Sequence, residues 1–181
     1  MASKTRLLSV EDVERLPSDL KWELVDGVLI EMPPANARHG GIAANVAFLL
    51  SSYVRPRRLG WVSVEVGFII RRGPDAIRAP DVAFIRAERM PPTGPPERFW
   101  EIAPDLVVEV ISPDDRPGEI QAKVREWIEA GVPLVWLLYP RTRTVVVIRS
   151  LLDREELTAE DTIDGGDVLP GFSCPVADLF E

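Results

Sequence analysis

The 181-residue sequence lacks the features of several protein classes. It contains one cysteine, Cys174, and therefore cannot form an internal disulfide. Its apolar stretches are far shorter than the roughly 20 residues that a membrane-spanning helix needs, and its N-terminus does not combine a basic start with a long apolar stretch. We therefore expect a cytoplasmic protein without a membrane segment, folded as a single domain over residues 1–181.

An excess of positive charge is also missing. The net charge is −8 at pH 7, whereas a general nucleic-acid binder usually carries a basic excess. The charge is unevenly spread, because residues 38–98 contain ten Arg and five Asp or Glu, a balance of +5, against −13 for the rest. Several arginines of this region are candidates for a phosphate-facing patch, with solvated surface arginines as the alternative. They are Arg55, Arg57, Arg58, Arg71, Arg72 and Arg78.

Hydrophobic periodicity predicts a protein with both helices and strands. Apolar residues recur at helical spacing from about Asn36 to Tyr53, which predicts an amphipathic helix ending before Pro56. Alternation over residues 61–70 predicts one half-buried strand, and a second helix is expected over about residues 118–130. Shorter apolar runs predict further strands at residues 22–25, 28–32, 81–85, 106–111, 134–139 and 144–149.

The N-terminal part predicts a short helix followed by a hairpin. Ser9, with Asp12 three residues later, is typical of a helix start, and we expect Pro17 to end that helix. Asp26-Gly27 separates the first two predicted strands, and this dipeptide tolerates the positive φ angles of a type I′ turn. The two strands are therefore expected to pair as an antiparallel hairpin.

Two acidic residues stand out because of where they lie. Glu109 is the only charge inside the apolar run 106–111, and Asp81 follows Ala79-Pro80 at the start of another predicted strand. A buried carboxylate must find a cation or hydrogen-bond donors, or else stay protonated. If the two strands pair, Asp81 reaches Glu109, and two carboxylates suit a hard ion such as Mg²⁺. The alternative is that Asp81 caps a turn and Glu109 pairs with an arginine.

A lysine is placed to join these acids. On the second predicted helix, Lys123 lies about 60° from Ile120, at the edge of the apolar side. From there its ammonium can reach Glu109, where a lysine is suited to stabilise charge developing on a phosphate. Lysine is rare in this chain, since only three of the 21 basic residues are Lys. The alternative is a lysine at a helix edge whose ammonium extends to solvent.

These residues resemble the PD-(D/E)XK nuclease arrangement. The chain as a whole resembles the bacterial Uma-type family, whose members are classed as candidate restriction endonucleases. The matching segments cover nearly the whole sequence and are WELVDGVLIEMPP (22–34), RHGGIAANV (38–46), APDVAFI (79–85), APDLVVEVISPDD (103–115), KVREWIEAGVPLVWLLYP (123–140) and DVLPGFSCPVADLF (167–180).

The resemblance implies an α/β (α+β) protein with a restriction-endonuclease-like core, in which a mixed, mostly antiparallel sheet is flanked by helices. It also implies an endonuclease that cleaves phosphodiester bonds in DNA with Mg²⁺ or Mn²⁺. Asp81 and Glu109 would be the metal ligands and Lys123 the catalytic lysine. The standard motif has its lysine two residues after the second acid, but this chain has Ile111 there. The lysine would instead come from the following helix.

Two further polar residues are candidates for the site. The resemblance places an acid near it at Glu23, which would bind the metal directly or through water; the alternative is a solvent-facing Glu23 on an edge strand. His39 is the only histidine and lies at a helix start, where the helix dipole is expected to depress its pKa and keep it neutral. It would contact phosphate or water, and the alternative is a surface residue or a cap.

Two other functional classes remain open from the residues alone. A non-catalytic DNA-binding or assembly module with a nuclease fold is favoured by the acidic net charge and by Ile111. A metal-dependent hydrolase acting on a small phosphorylated molecule would use the same acids in a narrower pocket. We expect a homodimer, since related folds often dimerise so that two sites meet two DNA strands.

Overall fold

The computed structural model describes residues 7–16 and 21–181, and the elements and distances below refer to these residues. The helices are α1 (Val10–Val13), α2 (Ala37–Arg57) and α3 (Pro117–Glu129). The strands are β1 (Trp22–Val25), β2 (Val28–Glu31), β3 (Gly60–Val64), β4 (Phe68–Arg71), β5 (Ala76–Arg78), β6 (Val82–Arg86), β7 (Leu106–Val110), β8 (Leu134–Tyr139), β9 (Thr144–Ile148), β10 (Arg154–Leu157), β11 (Thr162–Gly165) and β12 (Leu169–Pro175). No helix within these ranges is long and apolar enough to span a membrane.

The largest sheet has six strands in the order β10-β9-β8-β7-β6-β3. Its pairs are antiparallel except β7 with β8, which are parallel because α3 carries the chain back across the sheet between them. Two helices flank this sheet, as shown by the core contacts described next. The prediction of a mixed, mostly antiparallel sheet flanked by helices is confirmed.

Strand β7 separates two hydrophobic cores because its side chains alternate between the faces of the sheet. Leu106 and Val108 pack in the core that includes the buried side of α2. Val107 packs in the other core, together with Val124 and Trp127 of α3. Glu109 follows Val107 at the same two-residue spacing and therefore faces α3. Helix α3 therefore covers the Glu109 side chain.

A second sheet has the order β2-β1-β5-β4. Asp26 and Gly27 have φ angles of 51° and 76°, as the predicted type I′ hairpin requires. The sequence analysis missed β5, because three residues are too short to show alternation. This strand matters for the site, since it makes β1 an interior strand and removes Glu23 from an edge.

The predicted single strand over residues 61–70 is wrong. It forms two strands, β3 and β4, which belong to different sheets. The break falls at Glu65, whose φ of 52° is in the left-handed region and turns the chain out of the first sheet. The apolar alternation continues through this turn, so periodicity alone could not reveal it.

The ends of the first two helices also bear on the predictions. Ser9 and Asp12 form a capping box at the start of α1, as predicted, whereas Pro17 lies outside the described residues. Helix α2 does not end before Pro56 but continues to Arg57. Proline in the last turn forfeits one helical hydrogen bond, and Arg58 with φ 55° then ends the helix.

Candidate active site

Asp81 and Glu109 lie side by side at one end of the six-stranded sheet. Strands β6 and β7 pair antiparallel with Val82 opposite Val108, so the same register places Asp81 opposite Glu109. Residues opposite each other in such a pair have Cβ atoms about 4.5–5.5 Å apart. The backbone N–H of Val110 donates a hydrogen bond of 2.6 Å to Asp81 Oδ2, which fixes this carboxylate against β7.

Glu109 is a buried carboxylate with two donors from α3. Lys123 Nζ donates to Glu109 Oε2 at 3.0 Å, and Trp127 Nε1 donates to Oε1 at 3.0 Å. Burial raises the pKa of Glu109 to about 7, and the negative charges of Asp81 and Glu23 add to this effect while Lys123 opposes it. Glu109 therefore holds its proton more tightly than an exposed glutamate does.

Lys123 lies between two carboxylates. Its Nζ is 3.0 Å from Glu109 Oε2 and 3.2 Å from Glu23 Oε1. Burial alone would lower the pKa of Lys123, but the charges of Glu109 and Glu23 outweigh burial and raise it above its ordinary value. Lys123 is therefore a permanent cation, suited to electrostatic stabilisation and unsuited to act as a general base.

Glu23 is held at the other side of Lys123. Its Oε1 accepts the backbone N–H of Ala79 at 3.0 Å, and its Oε2 accepts Arg78 Nη1 at 2.6 Å. Burial would raise the pKa of Glu23, but Lys123 and Arg78 lower it below its ordinary value, so Glu23 stays ionised. Its side chain is 3% exposed, and the alternative of a solvent-facing Glu23 is wrong.

His39 reaches the site from the first turn of α2. Asn36 caps this helix by accepting the backbone N–H of His39 at 2.9 Å, and His39 Nε2 lies 3.2 Å from Asp81 Oδ2. The predicted depression of the His39 pKa is wrong. The hydrogen bond to Asp81 raises the pKa of His39 more than burial lowers it.

The predicted arginine patch does not form around this site. Arg78 points into the protein, where it is bound by Glu23 and by Glu126 of α3, and its side chain is 11% exposed. Arg71 forms an ion pair with Asp26, and Arg72 forms ion pairs with Glu11 of α1 and with Asp75. The remaining three arginines lie at the C-terminal end of α2, about 24–29 Å along the helix from His39. They are Arg55, Arg57 and Arg58.

Sequence reasoning missed Glu126 and Trp127, and it assigned Arg78 to a phosphate-facing patch and not to its contact with Glu23. Trp127 packs in the core on the apolar side of its helix, and its indole N–H is also a donor for Glu109. Its spacing of four residues from Lys123 was the available signal, because it places both donors on one face of α3. Arg78 and Glu126 gave no such signal, since β5 was not predicted.

The charges of the cluster fit a divalent cation. Four carboxylates and two cationic side chains leave a net charge of −2 when all four carboxylates are ionised and His39 is neutral. The contacts of Asp81 with the Val110 N–H and with His39 Nε2 both use Oδ2. No described residue donates a hydrogen bond to Oδ1. No three His, Cys, Asp or Glu side chains of the described residues form a group able to hold a metal. This donor set fits Mg²⁺ or Mn²⁺, which accept one or two carboxylates plus water, better than a zinc site.

The mixed sheet with its flanking helices defines a restriction-endonuclease-like nuclease fold. The chain belongs to the Uma2 family, described as "Putative restriction endonuclease", whose model matches residues 10–177. It is also similar to the crystal structure of "a putative nuclease belonging to DUF820" from Anabaena variabilis, with a TM-score of 0.82 and 21% sequence identity over 96% of this chain and 97% of that chain. At this identity the likeness shows the fold. None of the curated proteins compared with the chain matches it.

Proposed function

We propose that this protein is a metal-dependent endonuclease that hydrolyses phosphodiester bonds in DNA, with Mg²⁺ or Mn²⁺ as its cofactor. The observation that carries the proposal is the position of Lys123 Nζ, 3.0 Å from Glu109, while the strand register sets Asp81 opposite that same glutamate. Two acids on adjacent strands and a lysine beside them are the set that phosphodiester hydrolysis by this fold requires. The membership of the Uma2 family supports the same class of reaction.

The departure at Ile111 has a structural explanation under this proposal. A lysine at that position would extend from the same face of the sheet as Glu109. Helix α3 crosses this face, so Lys123 delivers its ammonium to Glu109 from the opposite direction. The Lys123 ammonium thus reaches Glu109 from a helix and not from the strand that carries Glu109.

Each side chain then has a defined task. A bound divalent cation supplies Lewis acidity and lowers the pKa of a bound water. Asp81, held through Oδ2 by Val110 and His39, and Glu109 on the neighbouring strand would hold this cation. Lys123, a permanent cation, stabilises the charge that develops on the phosphate. His39 orients the Asp81 carboxylate.

The test is cleavage of supercoiled plasmid by the purified protein with Mg²⁺ or Mn²⁺, and with EDTA. We expect Asp81→Asn and Glu109→Gln each to lower the rate by about 10²–10³-fold, the cost of removing one key electrostatic group. Glu119→Gln is the matched control, because Glu119 is on α3 and its side chain is 70% exposed. Calorimetric titration with Mn²⁺ provides a second readout, and both site variants should weaken binding while the control does not.

Several results would overturn the proposal or replace it. Undiminished cleavage in EDTA, or in either site variant, would remove the mechanism. Mn²⁺ binding without cleavage of any nucleic acid would favour the non-catalytic module. Cleavage of a small phosphodiester but not of DNA would favour the small-molecule hydrolase. The homodimer, the cytoplasmic location and the single domain stay predictions.

A further inference from the structure

Side chains of alternating charge, three of them buried and two partly buried, form a continuous row between the two larger sheets and α3. Arg78 of β5 donates through Nε to Glu126 of α3 at 2.6 Å and through Nη1 to Glu23 of β1 at 2.6 Å. Glu23 is 3.2 Å from Lys123, which is 3.0 Å from Glu109. The row therefore runs Glu126, Arg78, Glu23, Lys123, Glu109, and it links the four-stranded sheet to the site.

Glu23 is poorly placed to serve as a metal ligand. Oε1 accepts Ala79 N–H and faces Lys123, while Oε2 accepts Arg78. Two cations and a backbone N–H therefore hold Glu23, and its side chain is 3% exposed. A metal at Glu23 would compete with two cations, whereas at Glu109 it would compete with Lys123 alone. Glu23 thus binds three groups of the protein: Arg78, the backbone N–H of Ala79 and Lys123.

Arg78 is poorly placed to contact a nucleic acid. Its side chain is 11% exposed, and its guanidinium binds two carboxylates, Glu23 and Glu126. A guanidinium can bind two acids at once because its N–H groups form a rigid fork. A lysine at this position carries one compact ammonium and cannot reproduce both bonds. Arg78 thus fixes Glu23 relative to α3, the helix that carries Lys123.

We propose that Arg78 and Glu23 are positioning residues that hold the Lys123 ammonium against Glu109. The effect on catalysis rests on the proposed nuclease function, whereas the effect on Lys123 itself does not. With Glu23 in place, the ammonium is bound on two sides and has one position. Without it, Glu109 is the one remaining partner in the row, and the four flexible carbons of Lys123 allow its ammonium to move.

The kinetic test compares Arg78→Lys and Glu23→Gln with Arg72→Lys. Arg72 is the matched control because it also bridges two acids, Glu11 at 2.8 Å and Asp75 at 3.4 Å, but its side chain is 49% exposed and makes no contact with the row. We expect kcat for plasmid cleavage to fall about 10–100-fold in both row variants, as for other residues that orient catalytic groups. KM for DNA should stay within about twofold. A raised KM with unchanged kcat would mean that Arg78 binds phosphate and would overturn the inference.

A second measurement does not depend on activity. The chain has three lysines, Lys4, Lys21 and Lys123, so the side-chain ammonium signal of Lys123 can be assigned by NMR with a Lys123→Met variant. We expect restricted motion of this ammonium in the wild type and in Arg72→Lys, and increased motion in Glu23→Gln and Arg78→Lys. Melting temperatures establish that each variant is folded.

The two measurements separate the two proposals. If the wild type cuts no DNA but the Lys123 ammonium gains motion in Glu23→Gln, the positioning role stands and the nuclease function fails. If the ammonium is equally ordered in Glu23→Gln and the wild type, the positioning role is wrong, whatever the activity. Loss of kcat together with gained motion supports both.

Discussion

Asp105 and Glu109 are buried carboxylates at the two ends of one strand, and their surroundings differ in charge. They are 3% and 8% exposed, so burial does not distinguish them. Asp105 accepts the backbone N–H of Arg86 at 2.9 Å and lies 2.9 Å from Arg89 Nη1. Glu109 has Lys123 and Trp127 as donors, and its pKa is raised first by burial and further by the charges of two nearby carboxylates, Asp81 and Glu23.

This difference separates an acid whose contacts serve the fold from one that we propose serves a site. The donors around Asp105 are positive or neutral, and they fasten the loop before β7 to the end of β6. The negative groups near Glu109 oppose its ionisation, which is a cost to the fold without structural return. Perturbation by like charge is typical of functional sites. The charges around a buried acid are thus more informative than its burial.

The largest expected effect is on cleavage. Glu109→Gln should lose about 10²–10³-fold in rate, because it removes a proposed metal ligand. Asp105→Asn should keep the rate within about twofold, since Asp105 contacts the arginines of β6 and the following turn and not Lys123. Plasmid nicking assayed well below the melting temperature of the weaker variant measures both. Equal losses in the two variants would erase the distinction.

The second effect is a change with pH in the stability of the metal-free protein. Because the pKa of Glu109 is raised to about 7 in the folded state, the folded state binds this proton more tightly than the unfolded state does. The free energy of unfolding of the wild type, relative to Glu109→Gln, should therefore fall as the pH rises from about 4.5 to 7. The difference approaches roughly 3 kcal/mol above pH 7. Urea unfolding of both proteins in EDTA at pH 5 and pH 8 measures it.

Metal addition sharpens this comparison. At pH 8, Mg²⁺ should recover stability in the wild type and have little effect on Glu109→Gln, because the cation offsets the negative charge at the site. Asp105→Asn, which keeps Glu109, should respond to Mg²⁺ as the wild type does. A wild type that gains stability relative to Glu109→Gln between pH 5 and pH 8 would show that the sign is wrong.

The third effect is on the stability contributed by Asp105. Asp105→Asn should lower the free energy of unfolding by about 1–3 kcal/mol, since Arg86 and Arg89 lose a charged partner. The arginine side chains are 32% and 36% exposed and recover part of the loss from water. Urea unfolding at pH 7 measures the change, with the exposed Asp153→Asn as control. An effect no larger than that of the control would mean that Asp105 is dispensable to the fold.

The sequence predicted the four central strands of the main sheet, β6 to β9, and the helices that flank it, because their signals are long. The runs around Glu109 and in β8 and β9 are apolar enough to be strands, and α3 shows clear helical spacing. The strands that were not predicted correctly are short or interrupted by a turn. Strand β5 has three residues, and the turn at Glu65 interrupts an alternation that otherwise continues. These features depend on tertiary contacts that a local pattern does not contain.

The same limit applies to the candidate site. Helical spacing was sufficient to predict that Lys123 contacts Glu109. The position of Lys123 around the axis of its helix decides which way its side chain points. The row behind it depends on Arg78, which lies on the missed strand β5 and reaches Glu126 across 48 residues of sequence. The His39 pKa was misjudged for the same reason, since Asp81 comes from another element. Contacts between distant segments decide these electrostatic effects.

The smallest effect tests the neutral donor to Glu109. Trp127→Phe keeps most of the buried aromatic surface but removes the indole N–H that donates to Glu109 Oε1 at 3.0 Å. We expect the cleavage rate to fall about 10-fold, because the carboxylate loses one of the groups that orient it. Stability should fall by about 1–3 kcal/mol from the lost hydrogen bond.

Trp136→Phe is the matched control for this last comparison. Trp136 is fully buried in the core on the other face of the sheet, and its Nε1 has no hydrogen-bond partner among the residues that the structure describes. The substitution loses similar apolar surface and no hydrogen bond, so the cleavage rate should not change, and stability should fall less than in Trp127→Phe. If both variants keep full activity, the indole of Trp127 only fills the core, and Lys123 alone orients Glu109.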